Sequence, residues 1–287
     1  MDIFTPDGVR LHVEQVGAGN AVIFVHEFAG DHRSWEPQMR FFSRSHRCIT
    51  FAARGYVPSQ VPEDPAAYSQ DLARSDVLAV LDALGLSKAH IVGHSMGAYT
   101  ALHVGLHHSD RCLSIAALGC GWGSNPAERD ASIQVCEDIA QMFERQPMRE
   151  AAAAYARAPM RRTFEAKDPR GFAEFERMLA EHSGNGSALT MRNLQLKRPT
   201  LWELEQALRS FAPPLLVMVG DEDFPCIEGS LFLKRTVPTA GLLMLPRAGH
   251  TITSEEPAAV NAALSELFSC AETGTWMSHR LETVGVR

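Results

Sequence analysis

The chain has 287 residues, which is enough for one α/β domain with an insertion. Hydrophobic residues make up 45% of the chain and charged residues 21%, so a large core can form and a disordered chain is excluded. The formal net charge of -7 argues against a nucleic-acid partner. No uninterrupted apolar window of about 18 residues is present, so no membrane span is expected.

Cysteine usage and the first residues point to the cytoplasm. The chain begins Met-Asp-Ile-Phe-Thr-Pro and lacks the basic and apolar regions of a secretory signal. The cysteines are scattered, and we expect them to be reduced thiols that form neither a disulfide framework nor a zinc site. They are Cys48, Cys112, Cys120, Cys136, Cys226 and Cys270.

Strand and helix patterns alternate along the first 120 residues. A helix is expected from about Ser34, and a second follows in which Leu72, Val77 and Leu81 share a face and Gly85 ends the helix. Apolar runs predict strands at residues 9–16, 21–26, 48–51, 89–92 and 113–118. This alternation predicts an α/β fold with a mostly parallel central sheet and helices on both of its faces.

The pattern changes from about residue 121 to residue 211, where no parallel-strand run is found. Helical windows are separated there by helix-breaking residues, and they cover residues 133–143, 149–157, 171–182 and 201–208. Strands resume at residues 214–220 and 242–245, and a last helix is expected from about 256 to 268. We therefore divide the chain into a discontinuous core (1–120 and 212–272), a helical insertion (121–211) and a polar C-terminal tail (273–287).

A short motif in the first half of the chain carries the chemistry. Gly93, His94, Ser95, Met96 and Gly97 fit the pattern Gly-x-Ser-x-Gly. A serine in this pattern lies on a sharp strand-to-helix turn that exposes its hydroxyl at the top of a sheet. An apolar run precedes the motif and an unbroken helical run follows it, as that geometry requires.

The partners that a nucleophilic serine needs follow in the order acid, then histidine. A serine hydroxyl requires a neutral imidazole to take its proton, and a buried carboxylate to orient that imidazole. Carboxylates follow the strand at 214–220, where Asp221 and Asp223 compete for the acid role, and His250 follows the next strand. The sequence thus predicts Ser95 as nucleophile and His250 as general base and acid.

These motifs together resemble the α/β-hydrolase superfamily, in particular its cap-bearing group of small esterases, enol-lactonases and carbon–carbon hydrolases. The resemblance covers about residues 9–270 and implies that residues 121–211 form a helical cap inserted between the sixth and seventh strands. The place of the acid in the family motif favours Asp223 over Asp221. Besides residues 93–97, the resemblance rests on Val25-His26, Ser34-Trp35, Ala53-Arg54-Gly55-Tyr56, Gly220-Asp221-Glu222-Asp223 and Gly249-His250.

One position departs from the family pattern. The family usually has glycine after the histidine of the oxyanion loop, and this chain has Glu27 after His26. The resemblance implies that the backbone N–H groups of Phe28 and Met96 bind the oxyanion. A carboxylate facing that oxyanion would destabilise the transition state, so we expect the Glu27 side chain to point away, held by a hydrogen bond or an ion pair. The rival hypothesis makes Glu27 a proton-transfer group whose pKa is raised by burial.

Several residues near these motifs are candidates for the pocket wall or for the layer behind it: His26, Glu27, His94, Trp122 and Phe224. No metal site and no cofactor are expected, because no His spacing suits a metal. The expected partner is a small ester or lactone, neither nucleic acid nor membrane is expected, and the sequence leaves a homodimer open.

The resemblance implies three functions on this fold. The first is a serine hydrolase that cleaves a small carboxylic ester or lactone through an acyl-enzyme. The second is a carbon–carbon hydrolase of a diketone-type ring-fission product, which uses the same triad. The third is a non-hydrolytic ligand-binding or cofactor-free oxygen-handling protein. A serine at position 95 disfavours the aspartate-dependent haloalkane dehalogenases and epoxide hydrolases of the same fold.

Overall fold

The protein is described by a computed structural model covering residues 1–276. Its centre is an eight-stranded sheet with the strand order β1-β2-β4-β3-β5-β6-β7-β8. The strands are β1 Asp2–Phe4, β2 Arg10–Val16, β3 Ala21–Val25, β4 Arg47–Phe51, β5 Ala89–His94, β6 Cys112–Leu118, β7 Leu215–Gly220 and β8 Ala240–Leu245. The first two strands of the order pair antiparallel and the other six are parallel.

Helices cover both faces of the sheet and fill the connection between β6 and β7. They are α1 Glu36–Phe42, α2 Gln70–Ala83, α3 Met96–His107, α4 Arg129–Arg145, α5 Met148–Ala156, α6 Arg162–Lys167, α7 Pro169–Ala180, α8 Gly184–Thr190, α9 Glu205–Leu208, α10 Phe224–Thr236, α11 Ile252–Glu255 and α12 Pro257–Thr273. This architecture confirms the predicted α/β class, with its mostly parallel sheet and its helical insertion between the sixth and seventh strands.

Alternation along β3 explains how the sheet is covered on both faces. All five residues of β3 are buried, and successive side chains point to opposite faces of a sheet. Val22 and Phe24 pack in a core with α1 and α12, whereas Ile23 and Val25 pack in a core with α2 and α3. A strand buried on both faces reads as a continuous apolar run, which is the pattern seen in the sequence.

A third apolar cluster joins the insertion to the sheet domain. Phe28 and Met96 belong to the sheet domain and pack in one cluster with Phe143, Phe164 and other residues of α4–α8. The insertion therefore lies against the loops that follow β3 and β5, which carry the motif residues. The division of the chain into core, cap and tail stays a prediction.

The sequence prediction differs from the structure in several elements, among them β1 and the window at 201–208. The strand β1 is three residues long, too short to give a periodic pattern. The window at 201–208 is helical only over α9, and residues 201–204 form turns. No helix among residues 1–276 is long and apolar enough to cross a membrane. Most of the predicted tail, residues 277–287, lies outside the described residues.

Candidate active site

Ser95 lies on a tight turn between β5 and α3. Its backbone has φ +53° and ψ -109°, a left-handed conformation that non-glycine residues rarely adopt. A Cβ atom on Gly97 would come within 2.1 Å of the Val25 carbonyl oxygen, so only glycine permits this approach of α3 to β3. The strained turn is the one that the Gly-x-Ser-x-Gly motif predicts, and it places Ser95 at the carboxyl edge of the sheet.

The loops after β7 and β8 bring Asp223 and His250 together. The Nδ1 atom of His250 lies 2.7 Å from Oδ2 of Asp223, and both side chains are buried. Because a carboxylate only accepts, this bond places the Nδ1 proton on the side of Asp223 and leaves Nε2 as the basic nitrogen of the neutral ring. The Asp221 carboxylate instead accepts the backbone N–H of Ala248 at 3.2 Å.

The His250 backbone is held from two sides. Its N–H donates to the Met160 carbonyl oxygen of the helical insertion at 2.8 Å. The Nε2–H of His94 donates to the His250 carbonyl oxygen at 2.7 Å, and the two imidazole rings lie 5.0 Å apart. Burial lowers the pKa of His94 to about 4, so this ring is neutral at ordinary pH. His94 thus lies behind His250 and supports it, as one of the two sequence hypotheses has it.

Glu27 lies beside the histidines and pairs with an arginine of the insertion. Its Oε2 accepts a hydrogen bond from Nη2 of Arg161 and lies 3.9 Å from Nε2 of His250, while Oε1 lies 4.0 Å from Nδ1 of His94. Burial alone would raise the pKa of Glu27, but the charge of Arg161 and the hydrogen bond that it donates outweigh burial and lower the pKa to about 2. The ion pair agrees with the expected anchoring of the side chain, and the lowered pKa disfavours the hypothesis of a proton-transfer group. That the carboxylate points away from the oxyanion stays a prediction.

The backbone N–H groups of the two predicted oxyanion donors, Phe28 and Met96, have no protein acceptor in the described residues, and their binding of an oxyanion stays a prediction. His26 holds the first of these loops, because its Nδ1–H donates to the Glu27 carbonyl oxygen at 2.7 Å and its Nε2 accepts the Ala53 N–H at 3.0 Å. His26 is therefore a buried anchor of the loop and not a wall of the pocket.

A cavity of about 290 Å³ opens onto the motif residues. Ser95 and His250 both line it, although no hydrogen bond joins their side chains in the described part of the chain. Catalytic hydrogen bonds are often long before substrate binds. The remaining wall comes from Trp122, as the sequence suggested, and from residues of the insertion: Val135, Ile139, Met142, Ala154, Tyr155, Ala158 and Met160.

One pocket candidate is wrong. Phe224 is 71% exposed and does not line the cavity. It is the first residue of α10, directly after Asp223, and Asp223 is buried. Because successive side chains at a helix start point in different directions, the residue that follows the inward carboxylate faces solvent.

Sequence reasoning also missed functional neighbours. Arg161 is 1% exposed and pairs with Glu27, and Met160 binds the His250 backbone, yet both come from a segment with no motif. The only available signal was Glu27 itself, because a buried carboxylate requires a partner charge somewhere in the chain. The sequence does not say which arginine supplies that charge.

A carboxylate, a thiol and an imidazole come together behind the cavity, and their possible metal-ligand atoms lie within 4.8 Å of one another: Asp223, Cys226 and His250. Burial raises the pKa of the Cys226 thiol well above its ordinary value, and Sγ–H donates to the Gly119 carbonyl oxygen at 3.3 Å. A metal needs the thiolate, and here the protonated thiol is favoured. This group therefore fits proton transfer better than metal binding.

Comparison with known proteins agrees with this geometry. Residues 20–257 match the family model described as the alpha/beta hydrolase fold, so the chain belongs to that family. It is 38% identical over 118 residues to an epoxide hydrolase of Caballeronia sordidicola, and 38% identical over 110 residues to 3-oxoadipate enol-lactonase 1 of Acinetobacter baylyi. These alignments cover 41% and 38% of this chain, but only 36% and 40% of the two relatives.

A solved structure is similar over nearly its whole length. The enol-lactonase from Burkholderia xenovorans LB400 superposes with a TM-score of 0.82, covering 94% of this chain and 100% of that chain. The two sequences are 20% identical, so this likeness shows the fold. The protein is thus an α/β hydrolase with a helical insertion over the cavity that Ser95 and His250 line.

Proposed function

We propose that this protein is a serine hydrolase that cleaves a small carboxylic ester or lactone through an acyl-enzyme intermediate. The observation that carries the proposal is the arrangement around His250. Its Nδ1 is bonded to a buried carboxylate, that of Asp223, at 2.7 Å, and its ring lines the same cavity as Ser95 on its strained turn. These are the parts that nucleophilic catalysis by serine requires.

In the proposed reaction Ser95 Oγ attacks the carbonyl carbon of the substrate while His250 Nε2 takes the hydroxyl proton. The N–H groups of Phe28 and Met96 bind the oxyanion of the tetrahedral intermediate. The intermediate collapses as the protonated His250 gives its proton to the leaving alkoxide, which departs as an alcohol, or stays attached when the substrate is a lactone. His250 then takes a proton from a water molecule while the water oxygen attacks the acyl carbon, and it gives this proton to Ser95 Oγ as the acid is released.

The substrate class follows from the cavity. About 290 Å³ accommodates a small molecule, and the wall contributed by Trp122, Ile139, Met142 and Met160 is apolar. A serine nucleophile such as Ser95 attacks a carbonyl carbon and forms an acyl ester. Epoxide hydrolases of this fold use an aspartate instead, so the serine favours an ester or lactone over an epoxide as substrate. The similarity of part of the chain to an enol-lactonase supports a lactone among the substrates.

Glu27 contributes electrostatically in this mechanism. Its carboxylate, ionised because its pKa is about 2, lies 3.9 Å from His250 Nε2, the atom that acquires a proton as Ser95 attacks. A negative charge at that distance stabilises the imidazolium, and the pairing with Arg161 keeps the net charge at the oxyanion small. Glu27 therefore does not exchange protons near neutral pH.

The proposal is tested with a panel of short-chain nitrophenyl esters and five- and six-membered lactones, assayed with the wild-type protein and with Ser95→Ala. We expect turnover of at least one class, and a loss in kcat of about four to six orders of magnitude in the variant. A vinylogous diketone in the same panel addresses carbon–carbon hydrolysis. Turnover of the diketone alone, or ester turnover within about tenfold of wild type in Ser95→Ala, would overturn the proposal.

A further inference from the structure

Two histidines and a glutamate converge on one point of the surface, away from Ser95. Nε2 of His12 lies 3.3 Å from Oε1 of Glu14, and Nε2 of His32 lies 3.5 Å from the same oxygen. All three ligand atoms lie within 4.8 Å of one another. Two imidazole nitrogens that face one carboxylate oxygen need either a hydrogen on each nitrogen or a metal ion between the three atoms.

The fold fixes these side chains. His12 and Glu14 are two residues apart on β2 and therefore point to the same side of the sheet. His32 begins the helical turn that follows the β3 loop, and Thr50 Oγ1 on β4 donates to its carbonyl oxygen at 3.0 Å. The three ligands thus come from two segments that the sheet holds in register, and no sequence spacing reveals them.

A carboxylate is hydrogen-bonded behind the His12 ring, and another lies near the His32 ring. Nδ1 of His12 lies 3.3 Å from Oδ1 of Asp2, its cross-strand neighbour, and Nδ1 of His32 lies 3.7 Å from Oδ1 of Asp31. A carboxylate behind Nδ1 holds the proton on that nitrogen and turns the lone pair of Nε2 outward. This is the usual support of a metal-binding histidine, and here it is present for His12. Nδ1 of His32 is buried and has no hydrogen-bond partner among the described residues, with the Asp31 carboxylate as a nearby charge.

We infer that His12, Glu14 and His32 bind a divalent transition-metal ion of the zinc type. Ligands at 2.0–2.1 Å around a tetrahedral ion lie about 3.4 Å apart, which matches the two measured separations. Two imidazoles and one carboxylate suit Zn²⁺ or Co²⁺, whereas Mg²⁺ and Ca²⁺ prefer oxygen ligands. This assignment revises the expectation from the sequence that the chain has no metal site.

The site has room for further ligands. The Glu14 side chain is 54% exposed, and Glu14 and His32 line a surface cavity of about 310 Å³. Water can therefore complete the coordination of an ion held by three protein ligands. Because the ion would join β2 to the loop after β3, its binding would stabilise the folded chain without touching Ser95 or His250.

A second group of similar composition supplies a matched control. Nε2 of His46 and Nε2 of His90 lie 3.3 and 3.1 Å from Oε1 of Glu272. Hydroxyl groups of Ser45 and Ser114 lie behind these rings, and a hydroxyl can donate as well as accept, so it does not fix the ring tautomer. The His90 ring is also fully buried, which leaves no side open for water.

The experiment is a Zn²⁺ titration of the full chain after treatment with chelator, in competition with a chromophoric chelator. We expect one tightly bound equivalent in the wild type. The affinity for Zn²⁺ should fall at least about tenfold in Glu14→Gln, and further in the double variant His12→Ala with His32→Ala. The affinity of His46→Ala should equal that of the wild type. With Co²⁺, the wild type and His46→Ala should show the visible absorption of four- or five-coordinate geometry. Glu14→Gln and the double histidine variant should not show it.

Three results would overturn the assignment. One is the absence of a tightly bound equivalent in the wild type, which would leave hydrogen bonds from the imidazole N–H groups as the explanation of the cluster. Another is unchanged affinity in Glu14→Gln or in the double histidine variant. The third is loss of the equivalent in His46→Ala. Circular dichroism of each metal-free variant checks folding, and Glu14→Gln, which changes an exposed side chain, serves if the double variant fails to fold.

Discussion

Asp221 and Asp223 follow the same strand, yet their carboxylates have different partners. Asp223 is buried against His250 Nδ1, whereas Asp221 accepts the N–H of Ala248 and so closes the loop that carries His250. One carboxylate orients the imidazole directly, and the other orients the backbone that bears it. Loss of the Asp223 carboxylate should therefore affect the tautomer of the imidazole, whereas loss of the Asp221 carboxylate should affect the position of the loop.

Substituting these two residues separates their roles. Asp223→Asn should lower kcat by about 10⁴-fold, because an amide stabilises the wrong imidazole tautomer. Asp221→Asn should cost far less, since the amide oxygen still accepts the Ala248 N–H. The measurement is kcat on the best ester or lactone of the panel. A larger loss in Asp221→Asn than in Asp223→Asn would show that the acid of the site is misassigned.

For individual residues, the sequence predicts those that belong to motifs. It misses those that contact the motif residues from distant parts of the chain. Ser95, His250 and Asp223 each end a strand pattern, so their meeting at one edge of the sheet could be expected. Arg161 follows from no local pattern, because its position is explained by a buried charge 134 residues away. Phe224 fails for the opposite reason: nearness in sequence to Asp223 does not determine which way a side chain points.

The helical insertion is tied to the sheet domain by charge as well as by apolar packing. Arg161 lies between α5 and α6 and is buried with Glu27, and its guanidinium lies over the rings of Tyr155 and Phe175. The Phe28 ring packs 5.7 Å from Phe143 and thus links the oxyanion loop to α4. We propose that residues 121–211 form a cap whose position is fixed by this contact.

Breaking the buried pair should destabilise the protein strongly. Arg161→Met leaves the Glu27 carboxylate buried without its partner and should lower the free energy of unfolding by about 3–5 kcal/mol. Adding Glu27→Gln removes the charge and should restore much of that loss. Arg157→Met is the matched control, because its ion pair with Glu176 is half exposed and should contribute at most about 1 kcal/mol. Chemical denaturation measures all three.

Equal losses in Arg161→Met and Arg157→Met would contradict the tie between cap and core. A double variant, Arg161→Met with Glu27→Gln, that is no more stable than Arg161→Met alone would also contradict it. The loss of stability in Arg161→Met would then come from lost packing and not from an unpaired buried charge.

The element scale also shows why one helix escaped prediction. Gly184, Asn185 and Gly186 are helix-breaking residues by sequence, yet they form the first turn of α8. The Ser183 side chain caps this helix by accepting the Gly186 N–H at 3.1 Å. A Cβ on Gly186 would lie 2.0 Å from the Gly55 carbonyl oxygen, so the glycine allows the cap to approach the loop after β4. Tertiary packing overrides the local propensity.

For the whole molecule, buried histidines dominate the expected response to acid. Burial lowers the pKa values of His26, His90, His94 and His103 to about 4, against an unfolded value near 6.5. Below pH 6.5 the unfolded chain binds more protons than the folded chain, so stability is lost as the pH falls from about 6.5 to 4. Asp76, whose pKa burial raises to about 6, acts in the opposite direction but is a single group.

His103 allows a direct test of this expectation. Neither of its ring nitrogens has a hydrogen-bond partner among the described residues, although the ring is buried. His103→Leu should therefore remove about one proton from the uptake on unfolding between pH 6.5 and 4. The free energy of unfolding should then fall by on the order of 3 kcal/mol less over this window than in the wild type. Urea denaturation at a series of pH values measures it, with His108→Leu as the control on the same helix end. An unchanged slope in His103→Leu would contradict the assignment of its pKa.

The central claim is that Ser95 is the nucleophile of this α/β hydrolase. The most direct measurement is labelling with a fluorophosphonate, followed by peptide mass spectrometry and by residual turnover of the best ester or lactone. The account predicts one adduct, on the peptide that contains Ser95, with turnover lost in proportion to labelling and no adduct in Ser95→Ala. An adduct on another residue, or full turnover after complete labelling of Ser95, would contradict it.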